Sequence, residues 1–143
     1  MNDTVMTFLS EGRKFRHKRS RGPFLVIEND ATLGLLLERW IDGMDQHAVL
    51  SSYISGATPD LCTKPKCVII GLDGQDKAES KLFLATIDQK YPEIVAVAYT
   101  SSNALAFSLK NTFPRLTVLC KGEGLADLLS ELDSEVHVKE FVA

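Results

Sequence analysis

Five short apolar runs, each followed by a segment of different character, limit what this chain can fold into more than any other feature. The runs occupy residues 24–27, 48–54, 67–70, 94–99 and 116–120. Unbroken apolar character over so few residues is the pattern of a strand buried on both faces, not of one wetted on one side. After the first run, Asp30 can cap a helix in which Leu33, Leu36, Leu37, Trp40 and Ile41 recur at helical spacing, with Gly43 as its C-cap. Ser51 and Ser52 interrupt the second run, and Gly56, Pro59 and Pro65 allow only a short helix between residues 55 and 66. Gly71, Leu72, Asp73 and Gly74 read as a loop after the third run, and the next helix continues to Tyr91, stopped by Pro92. Ser102 or Asn103 can cap a helix carrying Leu105, Leu109 and Phe113 on one side. Gly122 and Gly124 precede a last helix with Leu125, Leu128, Leu129 and Leu132 on one face.

Strands alternating with helices over short connections imply a parallel sheet covered by helices on both faces. At 143 residues the chain suits one such domain, and no internal repeat or second domain is visible. The domain is expected over residues 23–143. Residues 1–22 form a basic, flexible arm: positions 1–21 hold six basic side chains against two acidic ones, a net of +4, whereas the remainder carries −7. Arg13, Lys14, Arg16, Lys18, Arg19 and Arg21 could bind nucleic acid or an anionic surface, but charge without a fold specifies little, and a solvated terminus is the plainer reading. No apolar stretch is long enough for membrane insertion, and the first residues lack the pattern of a secretory signal. Three cysteines, an odd number, argue against a disulfide framework. A cytoplasmic location is expected. Cys62 and Cys67 find no second Cys or His pair, and His17, His47 and His137 are scattered, so no metal site is read from them.

In sheets of this kind the functional crevice lies beyond the carboxyl ends of the strands. The first run leads into Glu28, Asn29 and Asp30; the third into Gly71, with Asp73 two residues on; the fourth into Tyr99, Thr100, Ser101 and Ser102; the fifth into Lys121. FLVIEND, VIIGLDG, IVAVAYTSS and LTVLCKGEGLADLL, taken in order, resemble the receiver domain of two-component response regulators over residues 24–135. The resemblance implies a flavodoxin-like, doubly wound five-stranded sheet of order 2-1-3-4-5. It also implies a pocket in which two acids after the first strand bind Mg²⁺ and an aspartate ending the third accepts phosphate. A hydroxyl and a lysine ending the fourth and fifth strands then hold phosphoryl oxygens.

Carried onto this sequence, the pocket is degenerate. Glu28 keeps the first acid, Asn29 replaces the second, and Gly71 stands where the phosphoacceptor would be. Thr100 is the implied hydroxyl, with Tyr99 the alternative by register, and Lys121 is the implied ammonium, followed by Gly122 in place of proline. Asp73 is an alternative phosphoacceptor if a local bulge brings it into position. Mg²⁺ would then have only Glu28 and Asp73 to bind, so no cofactor is expected otherwise. Gly71→Asp is expected to restore part of the metal site. The expected function is that of a stand-alone, non-enzymatic pseudo-receiver acting through protein–protein contact. By resemblance its docking or homodimer face is the fourth helix, fifth strand and fifth helix, residues 103–113 and 116–135. The rivals are a phosphorelay receiver using Asp73 with Mg²⁺, and a small adaptor acting through residues 13–21.

Overall fold

A computed structural model describes residues 22–121 and 125–142. The basic positions 13–21 lie outside the described residues, as do Gly122 and Gly124. Five parallel strands form one sheet: β1 (Phe24–Ile27), β2 (Ala48–Ser51), β3 (Cys67–Gly71), β4 (Val95–Thr100) and β5 (Thr117–Cys120). Their spatial order is β2-β1-β3-β4-β5, as expected. The helices are α1 (Ala31–Gly43), a single turn α2 (Ile54–Ala57) continued by a 3₁₀ segment (Thr58–Thr63), α3 (Lys77–Lys90), α4 (Asn103–Thr112) and α5 (Leu125–Val142).

Alternation along each strand divides the core in two. Phe24, Val26, Cys67, Ile69, Val95, Val97 and Tyr99 face Leu37 and Ile41 of α1 and Leu128, Leu132 and Val136 of α5. Leu25, Ile27, Val68, Ile70, Ala96, Ala98 and Val118 face α2, α3 and α4 through Ile54, Leu84, Ile87, Ala106 and Leu109, among others. Both faces are dry, which is why the strand runs carry no polar alternation. Among the described residues no helix is long and apolar enough to cross a membrane. None of the three cysteines is in a disulfide, and Cys67 is buried inside β3.

Several boundaries differ from the sequence reading, each for a local reason. β2 ends at Ser51 rather than 54, because the Ser51 hydroxyl donates to the Tyr53 carbonyl at 2.9 Å and turns the chain into α2. β3 extends to Gly71, which pairs with Tyr99, and the Leu72 amide donates to the Tyr99 carbonyl at 2.9 Å. Met44, not Gly43, is the C-cap of α1; its backbone φ of −96° needs no glycine. Asp30 and Ser102 do cap α1 and α4, accepting from Thr32 and Leu33 amides and from the Leu105 amide. Leu36 is only half-buried and packs in neither cluster, whereas its neighbour Leu37 is fully buried.

Leu37→Ala and Leu128→Ala should therefore each cost about 2–5 kcal/mol, the range for emptying a leucine-sized core site. Leu36→Ala should cost less than about half as much. Urea denaturation of the three variants checks the order; an equal loss at Leu36 would mean that α1 is rotated on the sheet.

Candidate functional site at the carboxyl ends of the strands

Phe24, Val26 and Glu28 lie on one face of β1 by alternation, and Ile69 and Gly71 lie on the same face of β3, beside Tyr99 of β4. The three terminal residues therefore converge. Tyr99 is 1% exposed, and its hydroxyl donates a short hydrogen bond to Glu28 Oε1. The other carboxylate oxygen, Oε2, accepts from the Asp30 amide at 2.9 Å. The phenol passes directly over Gly71: a Cβ built there would overlap Glu28 Oε1 and lie 2.8 Å from the Tyr99 hydroxyl and 2.9 Å from Cε1. Glycine at this point is required by the approach of the ring, the usual meaning of a glycine inside a central strand. Burial, then the hydrogen bond to Glu28 and that carboxylate's charge, push the Tyr99 phenol far above the ordinary tyrosine range. It stays protonated, as a donor must.

Asp73 builds a second group beside the first. It lies past the end of β3, without a bulge in the paired strand, in the turn before α3. Its Oδ1 accepts from the Thr100 hydroxyl at 2.8 Å, the Ser101 amide approaches Oδ1 and Oδ2 at 3.3 and 3.1 Å, and Lys121 Nζ stands 3.7 Å from Oδ2. Thr100 is fully buried. Its hydroxyl oxygen in turn accepts from the Ser102 amide at 3.1 Å, so the carboxylate is joined to the first turn of α4. Partial burial opposes ionisation of Asp73. The Thr100 and Ser101 hydrogen bonds, helped by the Lys121 charge, outweigh it and hold the carboxyl below its usual range.

Asn29 does not join either group. Its Nδ2 donates to the Gly74 carbonyl at 3.2 Å, fastening the β1–α1 turn to the β3–α3 turn. An aspartate could not make that bond, which accounts for the amide here. Gly74 has φ +86° and no room for a Cβ beside Asn29.

The structure thus brings Glu28, Gly71 and Tyr99 together, and separately Asp73, Thr100 and Lys121. Tyr99, which by register was the alternative hydroxyl, has a role of its own. Ser101, whose amide donates to Asp73, joins the second group as well. A strand-ending glycine in register with a tyrosine is the one signal that could have disclosed the first group.

The donor set does not suit a hard cation such as Mg²⁺. Both Glu28 oxygens are engaged by protein donors, Asn29 presents its nitrogen to Gly74, and Asp30 Oδ1 caps α1. Asp73 is committed to Thr100, Ser101 and a lysine ammonium. Among the described residues no three His, Cys, Asp or Glu side chains are grouped so as to hold a metal. A side chain at position 71, as in Gly71→Asp, would have to displace Glu28 Oε1 and crowd the buried Tyr99 ring, which opposes the expected gain of a metal ligand.

No protein-family model matches the sequence, and neither does any curated protein. Solved structures match with probability 1.00. The response regulator TrrA from Thermotoga maritima, in complex with Mg²⁺ and BeF, aligns with a TM-score of 0.64 at 12% identity, over 80% of this chain and 97% of that one. An orphan response regulator of H. pylori aligns at 0.63 and 15% identity, over 82% and 98%. A response regulator receiver domain protein from Clostridium thermocellum aligns at 0.61 and 14% identity, over 85% and 99%. The fold is a receiver fold.

Two outcomes are expected. Gly71→Asp and Gly71→Ala should lower stability by about 1–3 kcal/mol, the cost of overpacking, with Mg²⁺ not recovering the loss; a Mg²⁺-dependent rise in the Gly71→Asp midpoint would reinstate the metal site. Asp73, with a folded pKa below its unfolded value of about 3.9, stabilises the fold fully above that value and loses its effect as pH falls through the folded one. The stability difference between wild type and Asp73→Asn should therefore be constant above about pH 5 and shrink below about pH 4. A difference that grows on acidification would contradict the arrangement.

Proposed function

We infer that this chain is a receiver-like signalling module that works through protein contact and without phosphorylation. The observation that carries this reading is the filled space above Gly71. Where the third strand ends there is no side chain to act as a nucleophile, and the room such a side chain would need holds the Tyr99 phenol bonded to Glu28. The lack of fit to Mg²⁺ supports the same conclusion, since a hard divalent cation is what neutralises charge during phosphoryl transfer. The module turns over no substrate in this reading. Its contact face is α4, β5 and α5, taken by similarity of fold. Phe107, 70% exposed on α4, gives that face an apolar anchor for a signalling protein or a second copy.

A phospho-receiver using Asp73 is the second reading, favoured by one observation: that carboxylate is the acid that reaches both Thr100 and Lys121. Against it, Asp73 already spends its oxygens on these donors. Incubation of wild-type protein with acetyl phosphate and millimolar-range Mg²⁺, followed by intact mass, separates the two. The expected result is no added phosphoryl mass. A phosphoryl adduct that disappears in Asp73→Asn would overturn the present reading in favour of the second. Phe107→Glu should leave stability within about 0.5 kcal/mol while weakening any self-association seen by sedimentation.

A further inference from the structure

At the amino ends of β4 and β5, across the sheet from the strand ends described above, lies a cavity of about 140 Å³. Its walls include Ile87 of α3, Tyr91 and Pro92 beyond that helix, Ala96 of β4, and Arg115 and Leu116 before β5. A volume of this size holds one six-membered ring and is too small for a nucleotide. Most of the lining side chains are apolar, and one is a cation. We propose that this cavity is a binding site for a small aromatic carboxylate. Arg115 takes its carboxylate, the Ala96 amide is a second donor, and Ile87, Tyr91 and Leu116 cover its ring.

Asp88 of α3 holds the Arg115 guanidinium in place. Nε donates to Asp88 Oδ1 at 3.0 Å, Nη2 lies 2.8 Å from the same oxygen, and Nη2 also donates to the Asp88 carbonyl. These contacts use one edge of the planar group, and Nη1 has no acceptor among the described residues. With 53% of its side chain exposed, the cation is fixed in direction yet open to a ligand. The second donor follows from the strand pairing. The Val95 amide donates to the Lys66 carbonyl at 3.3 Å, on the β3 side, so alternation turns the Ala96 amide toward β5. Pairing with β5 begins only at Thr117, opposite Val97, and no carbonyl among the described residues takes the Ala96 proton. Ala96 is 6% exposed, and a buried amide without an acceptor is a cost that a ligand oxygen removes. An inorganic anion would leave the apolar wall uncovered, and a neutral ring would leave both donors unused. An aromatic carboxylate answers all three.

The test is a titration of the full chain with benzoate at constant ionic strength, followed by amide NMR. Saturable shifts are expected at the Ala96 and Leu116 amides, with a Kd of about 1 mM, and none at Asp73 or Lys121. Acetate carries the charge without the ring, and benzyl alcohol the ring without the charge. Each should bind at least about tenfold more weakly than benzoate. Arg115→Met should weaken benzoate about tenfold or more, the loss of a charge-assisted contact. Benzoate binding that is unchanged in Arg115→Met would overturn the assignment; if that variant fails to fold, Arg115→Gln is read in the same way. Acetate or benzyl alcohol binding as tightly as benzoate would overturn it too, as would shifts that never saturate or that centre on Lys121. The cavity shares no residue with the pocket at the carboxyl strand ends, so its failure leaves the function proposed above untouched.

Discussion

The hydrogen bond between Tyr99 and Glu28, made across Gly71, is the constraint on which the strand ends depend. A carboxylate only 9% exposed must find donors inside the protein or leave a large desolvation cost uncompensated. It finds two, the phenol and the Asp30 amide. The phenol reaches it only because β3 offers no Cβ at the crossing point. Three residues on three strands are thereby made interdependent: a larger residue at 71 displaces the ring, and a ring without its hydroxyl leaves Glu28 short of a partner. The same arrangement uses up the volume and the oxygens that a phosphoacceptor and a cation would need.

Much of the fold was legible because dry parallel strands leave a plain trace. Residues 24–27, 67–70 and 94–99 are apolar without interruption since both faces of β1, β3 and β4 are covered. The edge strand β2 was harder. Only Ala48 of its four residues is buried, and Leu50 is 39% exposed, so its end at Ser51 was set by a hydroxyl–carbonyl contact and not by hydropathy. Of the α1 residues at helical spacing, Leu33, Leu37, Trp40 and Ile41 pack on the sheet and Leu36 does not. Leu36 and Leu37 are adjacent leucines of equal hydrophobicity, and only packing decides which one faces the sheet.

The site was legible by position and less so by role. Glu28, Asn29, Gly71, Thr100 and Lys121 do stand at the strand ends, as their order in the sequence implies. What sequence order does not encode is which side chain answers which. Asp73 reaches Thr100 and Lys121 from the turn beyond β3, with no bulge in the strand. Asn29 reads as an acid lost, but its amide makes a bond to Gly74 that an acid could not make. A substitution that looks like decay in one dimension is a working contact in three.

Charge is the remaining difficulty, because Glu28, Asp73 and Asp30 all act on the Tyr99 phenol, while the Lys121 ammonium is paired with Asp73. The influence of all three carboxylates on the Tyr99 phenol reflects their closeness. Their carboxylate oxygens are served chiefly by neutral donors. Tyr99 and the Asp30 amide serve Glu28, the first amides of α1 serve Asp30, and Thr100 and Ser101 serve Asp73. Two of these donor sets stand at helix N-termini, where the backbone dipole favours negative charge. Lys121 lies at 3.7 Å with a third of its side chain exposed, and its attraction is the part that salt can weaken. Short hydrogen bonds from fixed donors are not screened in this way. Packing and neutral donors therefore fix these carboxylates more firmly than the partly exposed ion pair does.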